Sequence, residues 1–506
     1  MEYSKLKSGT DIRGVAVEGV PGEPVTLTDE VVETIAAAFL VWCEKHLGKA
    51  AAGLKLAVGH DSRISADRIS AALQRVFVRY GVQVLDCGLA STPSMFWATQ
   101  DLPCDCSVQI TASHHPYHRN GLKFFTPQGG LDAPDITEIL ALAQEGAHPE
   151  REAPGSVEPC GYMKDYAARL RRTIQEGVNA PDYSHPLAGL HIVVDAGNGA
   201  GGFYATGVLE PLGADISGSQ FLEPDGMFPN HVPNPENEEA MASICQAVKA
   251  AHADLGVIFD TDVDRGAAVD HRGQEINRNR LVALASAIAL EGHPGGTVVT
   301  DSITSDGLKE YIETTLGGKH HRFKRGYKNV INEALRLNQE GVDCPLAIET
   351  SGHAAMGENH FLDDGAYLVT KILIKMATLR REGKDLEDLL APLREPAEAA
   401  EVRLPITEED FRARGEALIA ALEEYAKAQG WAIAPDNREG LRVSFPEGEG
   451  EGWFLLRLSV HDPILPVNLE SDAPGGVKLL GQKLLAFLES CPEGIDISPM
   501  VRFAKG

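Results

Sequence analysis

The sequence predicts an α/β protein of several domains that closes with a smaller α+β domain, and three observations carry that reading. Short apolar, β-branched runs alternate with longer helical patterns, which is the rhythm of α/β domains. Most of the strand-like runs end in a polar, glycine-rich turn. A chain of 506 residues also exceeds what one hydrophobic core organises, and at the usual domain size it divides into roughly three to five units.

The strand-to-turn passages, in order, are LKLAVGHDSR (54–63), VQITASHHP (108–116), HIVVDAGNGAGG (191–202), DLGVIFDTDVDRG (254–266) and PLAIETSGH (345–353). In open α/β sheets ligands bind beyond the carboxyl ends of strands, where these turns fall. EGAHPEREAPGSVEPCG, 145–161, is charged and rich in Pro and Gly, so it reads as a linker. REGKDLEDLLAPLREPAEAAEVRLP, 381–405, ends one helical region and opens another, and a further boundary near 275 follows the hairpin-like VDHRGQEI. Beyond these come the helical FRARGEALIAALEEYAKAQG and the paired strand signals LRVSF and WFLLRLSV, which give the last domain its α+β character.

Composition narrows the function. A hydrophobic fraction of 43% with 24% charged residues is that of an ordinary globular protein. Lys and Arg number 46 against 73 Asp and Glu, a formal charge of -27, which repels nucleic acid and anionic lipid. A phosphate-bearing substrate would need a local island of Arg, Lys and backbone N–H groups. Eight scattered cysteines follow no disulfide framework and read as reduced thiols; the close pair Cys104 and Cys106 lacks a second pair at zinc-like spacing. The N-terminal stretch has no apolar signal core and no apolar run is long enough to span a bilayer, so a soluble, cytoplasmic protein is expected.

Two loops carry chemistry. Asp260-Thr261-Asp262-Val263-Asp264-Arg265 follows the strand-like LGVIF. Alternate residues of an extended loop can converge three carboxylates on one hard cation, and oxygen-only ligation suits magnesium. An EF-hand is excluded because its downstream Gly and Glu are missing; a solvated acidic turn remains the alternative. In Thr111-Ala112-Ser113-His114-His115-Pro116, leading into Asn120-Gly121-Leu122-Lys123, a serine at a strand end among small residues and bases is placed to act as an exposed nucleophile. Its alternative is an ordinary turn.

Taken together and in order, TASHHP, DTDVDR, IETSGH and Arg457-Leu458-Ser459-Val460-His461-Asp462-Pro463 resemble the motifs of the α-D-phosphohexomutase family, closest to its bispecific phosphomannomutase/phosphoglucomutase branch. Supporting strings are Gly9-Thr10-Asp11-Ile12-Arg13-Gly14, Asp195-Ala196-Gly197-Asn198-Gly199 and Pro224-Asp225-Gly226-Met227-Phe228-Pro229. The resemblance implies four domains around a central active-site cleft: three similar α/β domains with mixed sheets at 1–155, 156–275 and 276–392, then the α+β domain at 393–506.

It also implies an activity, the interconversion of hexose 1-phosphate and hexose 6-phosphate through phosphorylated Ser113, with hexose 1,6-bisphosphate as activator and intermediate. Ser113, Asp260, Asp262 and Asp264 would ligate Mg²⁺. Arg13, His114 and Arg265 would assist the transfer, and Lys123 is the candidate proton-transfer group. Glu349 and Ser351 would bind the sugar hydroxyls at positions 3 and 4, His353 would contact substrate, and Arg457, Ser459 and His461 would grip its phosphate. Glucose and mannose differ only at position 2, so dual specificity is expected. Phosphoglucosamine or phosphopentose mutase, and a sugar-phosphate phosphatase, are the alternatives, and the chain would act as a monomer or homodimer.

The chain departs from the family pattern at four places. His115 stands for Asn, and Thr261 and Val263 stand for glycines, which suits backbone that needs no positive φ. Tyr327, in FKRGYKNVI, occupies the place of a Gly-His dipeptide, so a second acid/base role falls to Lys324, Tyr327 or Lys328. His461-Asp462 replaces Thr-Glu.

Overall fold

The computed structural model describes residues 2–459, 462–491 and 493–506. Two compact units form, one from residues up to 281 together with 351–388, the other from 282–350 together with 389–506.

In the first unit, an eight-stranded mixed sheet runs Lys7–Ser8, Asp11–Val15, Arg119–Thr126, Cys106–Ile110, Lys55–His60, Gln83–Leu89 and Ser156–Pro159, with Gly129–Gly130 paired onto Arg119–Thr126. Lys55–His60 is parallel to both of its neighbours, whereas Arg119–Thr126 is antiparallel to the strands on either side. Helices Asp29–Leu47, Ala66–Arg79 and Ala133–Glu145 contribute apolar faces to the core around this sheet, with Phe39, Phe77 and Phe124 at its centre. The segment 145–161 is only partly a linker. Its residues Ser156–Pro159 add an edge strand parallel to Gln83–Leu89, a place where proline is tolerated because one side of the strand has no partner to receive its missing N–H.

A second mixed sheet in the same unit has the order Glu275–Ile276, Gly266–Asp270, Leu255–Phe259, Ile192–Asp195. Leu255–Phe259 is buried along its whole length, which is why it reads as an uninterrupted apolar run. Gly266–Asp270 and Glu275–Ile276 form the hairpin expected of VDHRGQEI.

In the second unit, Lys319–Arg322, Thr297–Thr300 and Leu346–Ile348 pair in parallel. A five-stranded antiparallel sheet follows, Glu398–Pro405, Ile464–Ser471, Gly452–Leu456, Leu441–Phe445 and Ala432–Ile433, with helices Phe411–Ala428, Gly476–Leu488 and Ser498–Lys505. The strands read from LRVSF and WFLLRLSV are paired neighbours, and this domain is α+β as expected. Among the described residues no helix is long and apolar enough to cross a membrane.

Buried Arg442 joins the two sheets of this unit. It donates to the Ser302 and Thr304 carbonyls and to Asp306, and its guanidinium lies 3.6 Å from the Trp453 ring centroid. Trp453 in turn donates to Glu470 at 3.1 Å. Burial pushes the Glu470 carboxyl up to about 7, against the pull of Arg442. A carboxyl raised in the folded state holds its proton more tightly there than in the unfolded chain. Its contribution is therefore complete below about 4.5 and is lost as pH climbs through about 7. Glu470→Gln keeps an acceptor for Trp453 and does not titrate, so the fall in melting temperature between pH 5 and 8 should shrink in the variant; parallel curves would contradict the burial account.

Candidate active site

Ser113 occupies the connection between Cys106–Ile110 and Arg119–Thr126, at the carboxyl end of a buried strand. Its φ is +50°, a left-handed conformation uncommon for a non-glycine residue, and the Thr111 hydroxyl holds it by accepting the Ser113 N–H at 2.9 Å. The Ser113 Oγ lies 3.1 Å from Asp260 Oδ2 and 3.2 Å from His114 Nδ1. Burial, with the charges of Arg265, His115 and Arg13, keeps the His114 ring neutral, and His115 is pulled down to about 3, first by burial.

The return strand brings Lys123, and its neighbour brings Arg13. Arg13 pairs opposite Gly121, where an added Cβ would fall 2.4 Å from the Ile12 carbonyl and 2.9 Å from Arg13 Cγ, so the close approach of the two strands requires glycine. Arg13 is held by Asp11 Oδ2 at 2.7 Å.

The acidic loop 260–265 caps the hairpin between Leu255–Phe259 and Gly266–Asp270. Its three aspartates are almost wholly buried and their carboxylate oxygens gather within 4.8 Å of one another. Lys123 Nζ donates to Asp262 at 3.2 Å and to Asp264 at 2.5 Å. Arg265 Nε donates to Asp260 at 3.1 Å, and Nη1 to Asn234 at 3.1 Å. Burial, together with Asp264 and Asp262, pushes the Asp260 carboxyl well up. Asp264 is held low in spite of burial, because Lys123, His353 and Arg265 favour its charge.

The donors present fit a hard divalent cation. Asp262 Oδ1 and Asp264 Oδ1 are buried and accept no hydrogen bond, whereas both Oδ2 atoms are engaged, so each aspartate keeps one carboxylate oxygen that a hard cation could take. Thr261 has ordinary backbone, but Val263 sits at φ +67°. The expectation that both non-glycine positions avoid positive φ fails at Val263, where the fold imposes the turn: its N–H reaches the Asp260 carbonyl and its carbonyl receives the Gly365 N–H.

Ser351 Oγ is 3.0 Å from His353 Nδ1, and His353 Nε2 lies 3.8 Å from Asp264 Oδ1, so these two stand beside the acidic loop in the first unit. The other predicted substrate residues belong to the second unit. Glu349 is buried and accepts the Gly326 N–H at 2.6 Å, at the start of helix Tyr327–Gln339, where Tyr327 and Lys328 are half-buried and the preceding Lys324 is exposed. Arg457 lies 3.9 Å from Glu439, and Ser459 Oγ accepts the Asp462 N–H at 3.2 Å. His461 lies outside the described residues.

Several neighbours of the predicted site residues carried no recognised signal. The Thr92 N–H donates to the Asp262 carbonyl at 2.8 Å and its hydroxyl to Asp262 Oδ2. It opens helix Thr92–Asp101, capped by Ser91. Asp301, whose carboxyl burial lifts to about 7, receives the Thr350 hydroxyl at 2.7 Å, and Glu439 receives the Ser302 hydroxyl at 2.7 Å. Neither stands in a motif with a spacing of its own.

Three family models match, described as phosphoglucomutase/phosphomannomutase alpha/beta/alpha domains I, II and III, over residues 5–149, 166–273 and 277–396. A phosphoglucomutase of Neisseria gonorrhoeae is 29% identical over 94% of this chain and 96% of its own. A phosphoglucomutase/phosphomannomutase of Thermococcus kodakarensis is 30% identical over 84% of this chain and 90% of its own. Among solved structures, a phosphoglucomutase/phosphomannomutase family protein of Burkholderia thailandensis superposes with a TM-score of 0.78 at 26% identity, covering 96% of this chain and 98% of that one.

If the acidic loop binds a cation, millimolar Mg²⁺ should raise the melting temperature, by the equivalent of about 2.7 kcal/mol at a hundredfold excess over its Kd. Asp262→Asn should fold and lose that shift. An undiminished shift in the variant would move the cation elsewhere.

Proposed function

The chain belongs to the phosphoglucomutase/phosphomannomutase family of hexose phosphate mutases, and we propose that it interconverts the 1- and 6-phosphates of glucose and of mannose through phosphorylated Ser113. One observation carries this reading: the Ser113 hydroxyl is hydrogen-bonded to a carboxylate of the buried acidic loop. We assign the four domains to 1–155, 156–275, 276–392 and 393–506. Eight free cysteines accord with a reducing, cytoplasmic setting.

Phosphoserine 113 hands its phosphoryl group to the free hydroxyl of a hexose monophosphate, giving a hexose 1,6-bisphosphate, and takes the other phosphate back after the bisphosphate turns. In each transfer one oxygen–phosphorus bond breaks as another forms, and the proton of the accepting hydroxyl ends on the departing oxygen. Asp260, Asp262 and Asp264, with the Ser113 oxygen, would hold Mg²⁺, which when bound supplies positive charge beside the serine phosphate. Lys123, anchored on Asp262 and Asp264, is the group assigned to move the proton. Arg13 and Arg265 present fixed guanidinium charge to the transferring group, their geometry set by Asp11 and Asp260. Neutral His114 orients the Ser113 hydroxyl through Nδ1.

Ser351 and His353 are assigned substrate contacts in the first unit. In the second, Glu349 receives sugar hydroxyls, Arg457 and Ser459 bind substrate phosphate, and Lys324, Tyr327 and Lys328 flank Glu349 at the start of their helix. A carboxylate that holds hydroxyls common to glucose and mannose does not separate the two sugars, because discrimination requires a contact at position 2. Glucosamine and pentose phosphates are the nearest alternative substrates.

Coupled assays over glucose, mannose, glucosamine and ribose 1-phosphates should show the first two turned over at similar rates, and Ser113→Ala should be inactive on all. Release of inorganic phosphate as the main product would instead make the protein a phosphatase. Glu349→Gln keeps an acceptor but loses charge-assisted bonding, which is roughly twice as strong as a neutral bond, so kcat/KM should fall while the Mg²⁺ requirement stays put. A shifted Mg²⁺ requirement would count against a sugar-binding role.

A further inference from the structure

Two sequence strings have no role in the chemistry above, the turn HDSR at 60–63 and PDGMFP at 224–229, and in the first unit they meet behind the nucleophile. Arg63 is wholly buried. Its Nε donates to Asp61 at 3.2 Å; Nη1 donates to the Pro116 and Arg119 carbonyls at 2.8 and 2.9 Å; Nη2 donates to the carbonyls of Ser113 and His115, the latter at 2.7 Å. A guanidinium has five N–H donors, and four of these converge on carbonyls of one seven-residue loop.

Asp61 works on the same loop through Thr111. Its Oδ2 accepts the Thr111 hydroxyl at 2.7 Å, and that hydroxyl accepts the Ser113 N–H at 2.9 Å. The carbonyl and the N–H of Ser113 are thus both held by this pair, one directly by Arg63 and the other by Asp61 through Thr111. Ser113 is the residue in the loop whose backbone is left-handed, a conformation that persists only where its surroundings over-determine it.

The second string locks the arginine. Gly226 lies so close to the chain at Ser62–Ile64 that an added Cβ would fall 2.4 Å from the Ser62 carbonyl and from the Ile64 nitrogen. This contact lets Phe228, itself at φ +50°, set its ring 5.3 Å from the Arg63 guanidinium carbon.

We propose that Arg63, with Asp61 and Thr111, is the positioning device of the nucleophile: it fixes both backbone groups of Ser113 and so aims the hydroxyl at the acidic loop. The inference rests on the reading of Ser113 as the phosphoryl carrier. None of the three side chains is assigned a contact with substrate, so their loss should slow transfer without weakening substrate binding.

The test measures, by intact mass, the rate at which dephosphorylated enzyme takes one phosphate from glucose 1,6-bisphosphate, alongside kcat and KM for glucose 1-phosphate. Arg63→Lys keeps the charge but not the fork, and Thr111→Val keeps the shape but not the relay. Misplacing a reacting group by about 1 Å costs on the order of 100-fold, so both variants should lose roughly that much in phosphorylation rate and kcat, with KM within about twofold. Thr111→Ser should restore most of the rate, and the Mg²⁺-induced thermal shift should be unchanged throughout. If Arg63→Lys does not fold, Thr111→Val decides alone. Wild-type phosphorylation rates in folded Thr111→Val would overturn the positioning role and leave the carrier reading intact, whereas a wild type that takes no phosphate would overturn both.

Discussion

Three carboxylates buried within five consecutive residues are the constraint around which the catalytic unit is organised. Burial, and then the neighbouring Asp264 and Asp262, push the Asp260 carboxyl up. The protein answers with Lys123 on two of the aspartates and Arg265 on the third, yet one oxygen of Asp262 and one of Asp264 stay buried without a hydrogen bond. An arrangement left incomplete by protein groups alone could hold a cation. Removing Lys123 or Arg265 from this set would leave buried carboxylate charge uncompensated and cost several kcal/mol, roughly 3–5 in measured cases, so these two positions are fixed by stability as well as by chemistry.

The groups answering that constraint come from two sheets and reach it through strand ends and returns. The acidic loop caps a tight hairpin, Ser113 follows a strand of the first sheet, Lys123 lies on the returning strand and Arg13 on the next one over. Parallel strands alone would not do this. The antiparallel additions to the first sheet carry both cationic side chains back toward the carboxyl end where the serine sits.

Much of this was legible in the sequence because the chemistry is concentrated in short strings. TASHHP and DTDVDR hold the proposed nucleophile and the buried carboxylates, and the alternation of apolar runs with helical patterns gives the fold class. Less legible was anything that depends on a partner distant in the chain. Thr92 is an ordinary helix-opening threonine until the fold sets it against Asp262, and Arg63 belongs to a turn with no distinctive spacing. Val263 shows the converse failure. Sequence reasoning asks for glycine at a positive φ, but two backbone hydrogen bonds hold a buried valine there. In 145–161, Pro and Gly content suggests a linker, yet an edge strand needs only one paired side and accepts that composition.

The claim that Asp260, Asp262 and Asp264 form the cation pocket beside Ser113 is tested most directly by crystallography with Mn²⁺ in place of Mg²⁺, using its anomalous scattering. The account predicts one strong peak about 2.1 Å from an oxygen of each aspartate and from the Ser113 oxygen or its phosphate. A dominant peak at another carboxylate group of this chain, such as His271 with Asp385 and Glu387, and none at the acidic loop, would contradict it.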